Sequence, residues 1–314
     1  METICSGWPK NRFDSIVSAR NEIWLLGDRG MLGRQIALEL QKNGLPFSAS
    51  NRELDIGDFQ CLQAFAEGKK ISWLINCAAY TAVDQAEIEG AAALRINAAG
   101  VENLARLAAG IGAKLVHFST DYVFDGQNPQ PYKENDPPRP VSQYGYSKWQ
   151  GEKLLQAICQ SAFIFRISWL YGVFGNNFVN TMLKLFREKD EVRVVNDQFG
   201  SPTYAAALAR NIVRLIAASS ERFGLYHYCD KGVISWYDFA ARIMALGREY
   251  HLLEKKVSLL AIPSAEYPTR AVRPAYAALD SSLVVRELAF EVQDWQIRLD
   301  DFFREKLQRE SQRC

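Results

Sequence analysis

Three side chains in the middle of this chain could together move a proton onto a carbonyl oxygen. Thr120 closes the run Leu115-Val116-His117-Phe118-Ser119-Thr120, and Tyr144 and Lys148 follow as a Tyr-x-x-x-Lys. Residues four apart on a helix share one face. A phenol ionises near pH 10, and a nearby cation favours its phenolate, so Lys148 is expected to lower the pKa of Tyr144. The Thr120 hydroxyl can hydrogen-bond the same substrate oxygen. Such a trio polarises a ketone and protonates the alkoxide as hydride arrives.

The hydride source is indicated upstream. Gly27-Asp28-Arg29-Gly30-Met31-Leu32-Gly33 follows the apolar run Ile23-Trp24-Leu25-Leu26. A pyrophosphate must touch backbone amides at a helix N-terminus, where side chains would block it. The Gly-x-x-Gly-x-x-Gly spacing is one residue wider than the common dinucleotide fingerprint, and its place between strand and helix gives it weight. About 20 residues on, NAD-binding folds usually carry an acidic residue. Here that place holds Ser50-Asn51-Arg52. Arg52 can pair with a 2′-phosphate, which favours NADPH and leaves NADH possible.

The elements that must position these groups alternate. Strands are expected at 23–26, 47–50, 73–76, 115–118 and 163–167. Helices are expected over 31–42, from Asp58 to Gly68, over 86–112 in two pieces broken near Asn97, and from Ser142. Residues 125–140, rich in Pro, Gly, Asn and Asp, read as a long loop. The alternation predicts an α/β fold, a Rossmann-type doubly wound parallel sheet with ligands at the carboxyl ends of its strands. Gly27, Asn76 and Thr120 fall at such ends. Beyond Trp169 the pattern changes, with helices over 205–218 and 235–247 and a Pro-punctuated stretch at 261–274. A smaller, interleaved substrate-binding domain is expected there. The dinucleotide-binding domain takes 21–170, with 196–228 returning to it. The second domain takes 171–195 and 229–314. Residues 1–20 read as a poorly ordered extension.

Composition excludes several classes. Net charge is +1, so no basic field points to nucleic acid. No apolar stretch approaches the roughly 20 residues of a membrane helix. The six cysteines, Cys5, Cys61, Cys77, Cys159, Cys229 and Cys314, form no Cys-x-x-Cys pair, which suits free thiols in a reducing cytoplasm. His117, His227 and His251 lack metal-ligand spacing, and His117 is expected to pack within its strand.

With these residues in place the chain resembles the extended short-chain dehydrogenase/reductases. Within them it is similar to the branch that reduces the C4 keto group of dTDP-4-dehydro-L-rhamnose to dTDP-L-rhamnose. The resemblance spans about residues 22–305. It is carried by Asn76 to Asp84, His117 to Phe124, Phe165 to Tyr171, Gly175-Asn176-Asn177-Phe178, Asn196 to Thr203, Gly224 to His227 and Ile262-Pro263 to Arg273-Pro274. It implies Tyr144 as proton donor, Lys148 as its partner and Thr120 as third member. It implies Gly30, Met31 and Leu32 at the pyrophosphate, Asp55 and Ile56 beside adenine, and Ala78, Ala79, Tyr80 and Thr81 along the cofactor. Val83, Thr120, Asp121, Trp169 and Asn177 would meet the dTDP-sugar.

Some members bind Mg²⁺ at a dimer interface through glutamates, one of them two residues after the third glycine. That place is Gln35, a poor partner for a hard dication. A monomer or a metal-free homodimer needing no metal is expected. Among rivals, a dehydratase of this superfamily resembles its kin in carrying Thr-Asp-Glu, where this chain has Thr120-Asp121-Tyr122. An epimerase uses the same trio. A non-catalytic NADP-binding regulatory subunit, like that of methionine adenosyltransferase, also keeps the glycines and the Tyr-x-x-x-Lys.

Overall fold

Apolar side chains alternate along the first strand, and that alternation builds two cores on one sheet. A strand points successive side chains to opposite faces. In β1 (Glu22–Leu26) Ile23 and Leu25 enter one core, and Trp24 and Leu26 the other. The same division runs through β3 (Ile71–Asn76), β4 (Lys114–Thr120) and β5 (Ala162–Ile167). Strands apolar on both faces must be covered on both, which is the condition of a buried parallel sheet. The chain is seen here as a computed structural model that describes residues 22–312. The expected extension, residues 1–20, lies outside the described residues.

The six-stranded sheet is parallel throughout. Its order is Gly224–Tyr228, β5, β4, β3, β1, β2, with β2 spanning Phe47–Ser50. The order reverses between β1 and β3, and a crevice opens there at the carboxyl ends. Helix α1 (Met31–Lys42) and the Ala205–Ala217 helix cover one face. Helix α2 (Phe59–Ala66), the Gly100–Ile111 helix and the Gln143–Ile158 helix cover the other. Asp58 caps α2, its carboxylate accepting from the Gln60 and Cys61 amides. Ser142 caps the Gln143–Ile158 helix through the Gly145 amide.

One expected break is corrected. The helix over 86–112 starts at Gly90 and is not interrupted at Asn97. It widens into a π-turn over Arg95–Ala99 and continues to Ile111. A π-turn turns a backbone carbonyl off the regular ladder, and such turns recur at functional sites.

A second core lies beyond β5. It gathers Tyr171, the Phe178–Glu188 helix, the Glu191–Val195 strand, the Trp236–Glu249 helix and the Trp295–Ser311 helix. The Glu191–Val195 strand pairs in parallel with Ser258–Ile262. Residues 205–217 and 224–228 contribute to the first core. Val284 and Phe290 also join it, so the chain crosses back once more than the sequence suggests. Among the described residues no helix is long and apolar enough to cross a membrane, and Cys61, Cys77, Cys159 and Cys229 are free thiols.

Two glycines make opposite predictions. A Cβ on Gly151 would sit 2.0 Å from the Asn97 carbonyl oxygen and 3.2 Å from its carbon. Gly151→Ala should destabilise the fold by at least ~2 kcal/mol. A Cβ on Gly110 meets nothing within 4 Å, so Gly110→Ala should add about 0.5–1 kcal/mol of helix stability. Denaturant melts of the two variants side by side check this, and equal midpoints would contradict the packing described.

Candidate active site

Gly27, Gly30 and Gly33 carry different burdens. Gly27 has φ +77°, and a Cβ there would lie 2.7 Å from the Ala78 amide nitrogen, so β1 and β3 exit nearly in contact. A Cβ on Gly33 would sit 2.1 Å from the Gly27 carbonyl oxygen. These two shape the turn. Gly30 is exposed, and its nearest neighbour to a Cβ is the Gly27 oxygen at 3.3 Å. It stands at the N-cap of α1 with no side-chain cap. The Gly30 amide donates to the Gly27 carbonyl at 3.0 Å, which leaves the Met31 and Leu32 amides at the positive end of a helix dipole, while the Leu32 side chain drops into the first core. This cradle fits a pyrophosphate.

At the end of β2, Arg52 is exposed. Arg29, from the glycine turn, is close enough to help lower the pKa of Glu53, an effect led by backbone hydrogen bonds at Glu53 and Asn51. Two cations, Arg29 and Arg52, and two carboxylates, Glu53 and Asp28, therefore share this corner. Asn51 donates to Asp28 at 3.0 Å, joining β2 to the turn. Asp55 pairs with Arg95 and accepts from the Gly57 amide, and Ile56 is buried against Gly100.

The segment after β3 is clamped from one side. Asn97, buried in the π-turn, accepts from the Tyr80 amide at 2.9 Å and donates to the Tyr80 carbonyl at 3.0 Å. It also donates to Ser147 Oγ at 2.9 Å, on the helix that carries Tyr144 and Lys148. Ala78, Ala79, Tyr80 and Thr81 thereby take a fixed path between the glycine turn and that helix. The Tyr80 hydroxyl donates to Glu89 at 2.7 Å.

Thr120 ends β4, and Tyr144 and Lys148 lie on the helix beside it. Lys148 is buried and donates from Nζ to the Phe118 carbonyl at 2.6 Å. Burial pushes its ammonium down to about 8, with Glu152 and Cys77 acting the other way. Tyr144 is half-buried, in edge-to-face contact with Tyr122. Burial pushes its phenol up, a hydrogen bond with Thr120 pulls down, and Asp121 and Tyr122 push up. The expected lowering of Tyr144 by Lys148 is corrected: the ammonium is engaged by the Phe118 carbonyl, and burial decides the direction. Tyr144 is thus held protonated at neutral pH, as a proton donor requires. Thr120 donates to Asp121 Oδ1 at 2.9 Å and accepts from the Tyr122 amide at 3.2 Å. Asp121 is buried, and burial pushes its carboxyl up to about 7, opposed by the Thr120 hydrogen bond.

A cleft above these residues is lined by Asp121, Tyr122, Trp169, Gln198, Trp236 and Arg273. It adjoins a cavity of about 420 Å³ to which Gln198, Tyr267, Val272 and Arg273 contribute. Trp169 adopts φ +44° and stacks on Trp236 with ring centroids 3.5 Å apart. A Cβ on Gly200 would lie 2.6 Å from the Trp169 ring, so a glycine is needed beneath it. Arg273 donates to the Tyr122 hydroxyl and to Asp84, each at 2.7 Å. Val83, half-buried, begins the short helix that carries Asp84. Asn177 lines neither space. It caps the Phe178–Glu188 helix through the Asn180 amide and donates to the Gly172 carbonyl at 2.7 Å.

Residues 21–308 match the family model described as RmlD substrate binding domain. This chain belongs to that family. It is 39% identical over 282 residues to a dTDP-4-dehydrorhamnose reductase of Aggregatibacter actinomycetemcomitans, covering 87% of this chain and 95% of that one. It is 38% identical to the enzyme of the same name from Escherichia coli K12, covering 88% and 94%. A crystal structure of dTDP-4-dehydrorhamnose reductase from Bacillus anthracis in complex with NADP superposes with TM-score 0.85 at 38% identity, over 91% of this chain and 99% of that one.

Several residues of this site escape sequence reasoning. Asn97, Ser147, Asp84, Arg273, Trp236 and Arg29 become visible as partners only when distant segments meet. Arg29 lies inside the glycine turn, and Asp84 and Arg273 lie at the ends of two of the family-like blocks, but none of these signals names a partner. Gln35, the family-suggested metal position, donates from Nε2 to Glu305 at 3.1 Å, and Tyr204 and Arg309 also bind that carboxylate.

The glycine geometry separates folding from binding. Gly30→Val should leave the melting temperature within a few degrees of the parent, because Gly30 is exposed and a Cβ there meets only the Gly27 carbonyl oxygen, at 3.3 Å. It should weaken NADPH binding at least tenfold by covering the amides. Gly33→Ala should instead lower stability first. Fluorescence titration with NADPH and thermal melts of both variants test the distinction, and unchanged affinity in Gly30→Val would contradict the cradle.

Proposed function

We propose that this chain is an NADPH-dependent reductase of the C4 keto group of dTDP-4-dehydro-L-rhamnose, giving dTDP-L-rhamnose, the last step of dTDP-rhamnose synthesis. The observation that carries the reading is the meeting of Thr120, Tyr144 and Lys148 at the carboxyl end of β4, next to a glycine cradle and under an aromatic-lined cleft. The names of the relatives support the substrate, and the NADP complex of the Bacillus anthracis structure supports the cofactor.

NADPH, when bound, supplies the hydride. Gly30, Met31 and Leu32 would hold its pyrophosphate, Arg52 and Arg29 would face its 2′-phosphate, and Ala78 to Thr81 would line its path. Thr120 and Tyr144 hydrogen-bond the ketone oxygen. As the carbon takes hydride, Tyr144 gives its proton to that oxygen, and Lys148, one turn along the same helix, would resupply a proton to the phenolate left behind. Trp169 and Trp236 wall the sugar. Arg273 lies where the cleft meets the 420 Å³ cavity, the place for a diphosphate between sugar and thymidine. Tyr122 stands where a dehydratase carries a carboxylate, and a phenol paired with Arg273 is a poor base for eliminating water. A non-catalytic NADP-binding subunit remains the second reading, because it needs the same cradle; turnover with the keto sugar nucleotide decides between them.

We place the protein in the cytoplasm, as a monomer or a homodimer without bridging metal. Gln35 supplies an amide where the metal-bridged members supply a carboxylate. Light scattering with Mg²⁺ and with EDTA tests this, and metal-driven dimerisation would overturn it.

Tyr144→Phe should lower kcat for the keto sugar by about 10²–10⁴-fold, the usual range for losing a positioned proton donor, with NADPH affinity retained. Arg273→Leu should chiefly raise KM for the sugar nucleotide. Near-normal kcat in the phenylalanine variant sinks the mechanism.

The corner at β2 sets cofactor choice. The parent should favour NADPH over NADH in kcat/KM, and Arg29→Ala with Arg52→Ala should erase that preference by weakening NADPH alone. Loss of a charge-assisted hydrogen bond is worth about 1.5–3 kcal/mol, or one to two decades. Equal use of both cofactors by the parent would refute the assignment.

A further inference from the structure

Behind Lys148 lies a buried histidine that the reduction scheme does not use. His117 is on β4, three residues before Thr120, and opposite Asn76 in the β3–β4 register. Both side chains are 1% exposed. The Ala78 amide donates to Asn76 Oδ1 at 3.0 Å, which fixes the orientation of the Asn76 amide. Its NH₂ group therefore faces His117 Nδ1, at 3.1 Å. An amide NH₂ can only donate, so Nδ1 must accept. The ring hydrogen of neutral His117 is then on Nε2. Burial, and then Lys148, hold the imidazole pKa well below its ordinary value, so the ring is neutral at pH 7.

Nε2 lies 3.5 Å from Lys148 Nζ. An ammonium has three N–H groups and no lone pair, so it meets Nε2–H as donor against donor. A neutral amine offers a lone pair and meets the same hydrogen as an acceptor. We propose that His117, locked in this tautomer by Asn76, is a positioning residue that favours the neutral amine of Lys148 and so sets the pH at which Lys148 surrenders its proton. The proposal rests on the reductase reading. After Tyr144 has given its proton to the alkoxide, a proton resupplied to the phenolate from Lys148, one turn along the same helix, would leave a neutral amine that accepts from Nε2–H until solvent reprotonates it. No electrons move in this relay; the ketone is reduced by the hydride alone.

Other groups that act on Lys148 are Cys77 after β3, and Glu152 one turn along its own helix. Glu152 is held bidentate by Arg166 on β5, at 2.9 and 2.7 Å, so its carboxylate does not move. The depression of the Lys148 ammonium by burial agrees in direction with the effect assigned to His117.

The test has two parts. In uniformly ¹⁵N-labelled protein without substrate, the imidazole cross-peak pattern of His117 should show the hydrogen on Nε2; hydrogen on Nδ1 would overturn the proposal. In steady-state assays, His117→Gln can turn a carbonyl oxygen toward Nζ and so should favour the ammonium. It should move the alkaline limb of kcat/KM upward by about 0.5–1 pH unit, an ordinary size for one hydrogen-bond change, with NADPH affinity unchanged. Asn76→Ala, which frees Nδ1 to carry the hydrogen, should shift the limb the same way. An unmoved limb in both variants, accompanied only by a lower melting temperature, would reduce His117 to a structural role. The NMR result needs no turnover, so it separates failure of this inference from failure of the reductase reading.

Discussion

The helix that carries Tyr144 and Lys148 lies closer to its neighbours than side chains allow. At Gly145 a Cβ would fall 2.0 Å from the Tyr122 carbonyl oxygen, and at Gly151 the same distance from that of Asn97. Only glycine fits at either point. This double approach brings Lys148 within 2.6 Å of the Phe118 carbonyl on β4 and lets Ser147 meet Asn97. The course of residues 78–81 and the placement of Tyr144 and Lys148 are thus consequences of one docking geometry. Close packing transmits such a constraint, because interiors leave no slack to absorb a displaced helix.

The docking also buries charge. Glu152 and Arg166 are nearly inaccessible, at 2% and 3% side-chain exposure, and pair in a bidentate fork. A buried pair of this kind offsets a large desolvation cost and is a weak source of net stability. Its geometry is its contribution. The fork fixes the helix relative to β5, while Arg166 also reaches His227 and lies over the Phe124 ring. One turn earlier Lys148 has no carboxylate of its own, so burial acts on it with little opposition. The ion pair holds the helix in place, and the unpaired lysine beside it keeps a pKa near the working range. Active sites are where such shifts gather.

Much of this arrangement was legible in the residues, and the limits have physical causes. Strand positions followed from β-branched and aromatic runs, and α1 and β2 were read to the residue because Asn43-Gly44 ends the helix and the next strand follows at once. Caps at Asp58, Ser142 and Ser235 were likewise local. The expectations above include no helix at Phe178–Glu188, although Val179, Met182, Leu183 and Phe186 stand at helical spacing after a capping asparagine. Other features had no local signal. The π-turn at Arg95–Ala99 presents the Asn97 carbonyl to Gly151, a contact between residues 54 apart in sequence. The direction of the Tyr144 shift depends on how deeply the phenol sits, which spacing alone cannot give. Asn177 matched a family block, yet its amide braces a loop.

The interleaving of the two units follows from where the substrate must sit. A cleft over the ends of β4 and β5 needs a second wall, and the chain builds it by leaving β5 through Ser168 and Trp169. Ser168 donates to the Ser201 carbonyl at 2.6 Å, and Trp169 takes a left-handed backbone that a bulky residue rarely adopts. Such strain persists only where the surroundings over-determine it. Here they do, with Trp236 stacked on the indole and Gly200 beneath its edge. The second wall then returns across the cleft as residues 269–277, where Arg273 ties to Tyr122 and Asp84 in the first unit. A half-exposed ion pair is weak on its own, but this one joins the two walls at the mouth of the site. A sugar nucleotide entering there would compete for the same guanidinium, so substrate binding and the closure of the cleft draw on one side chain.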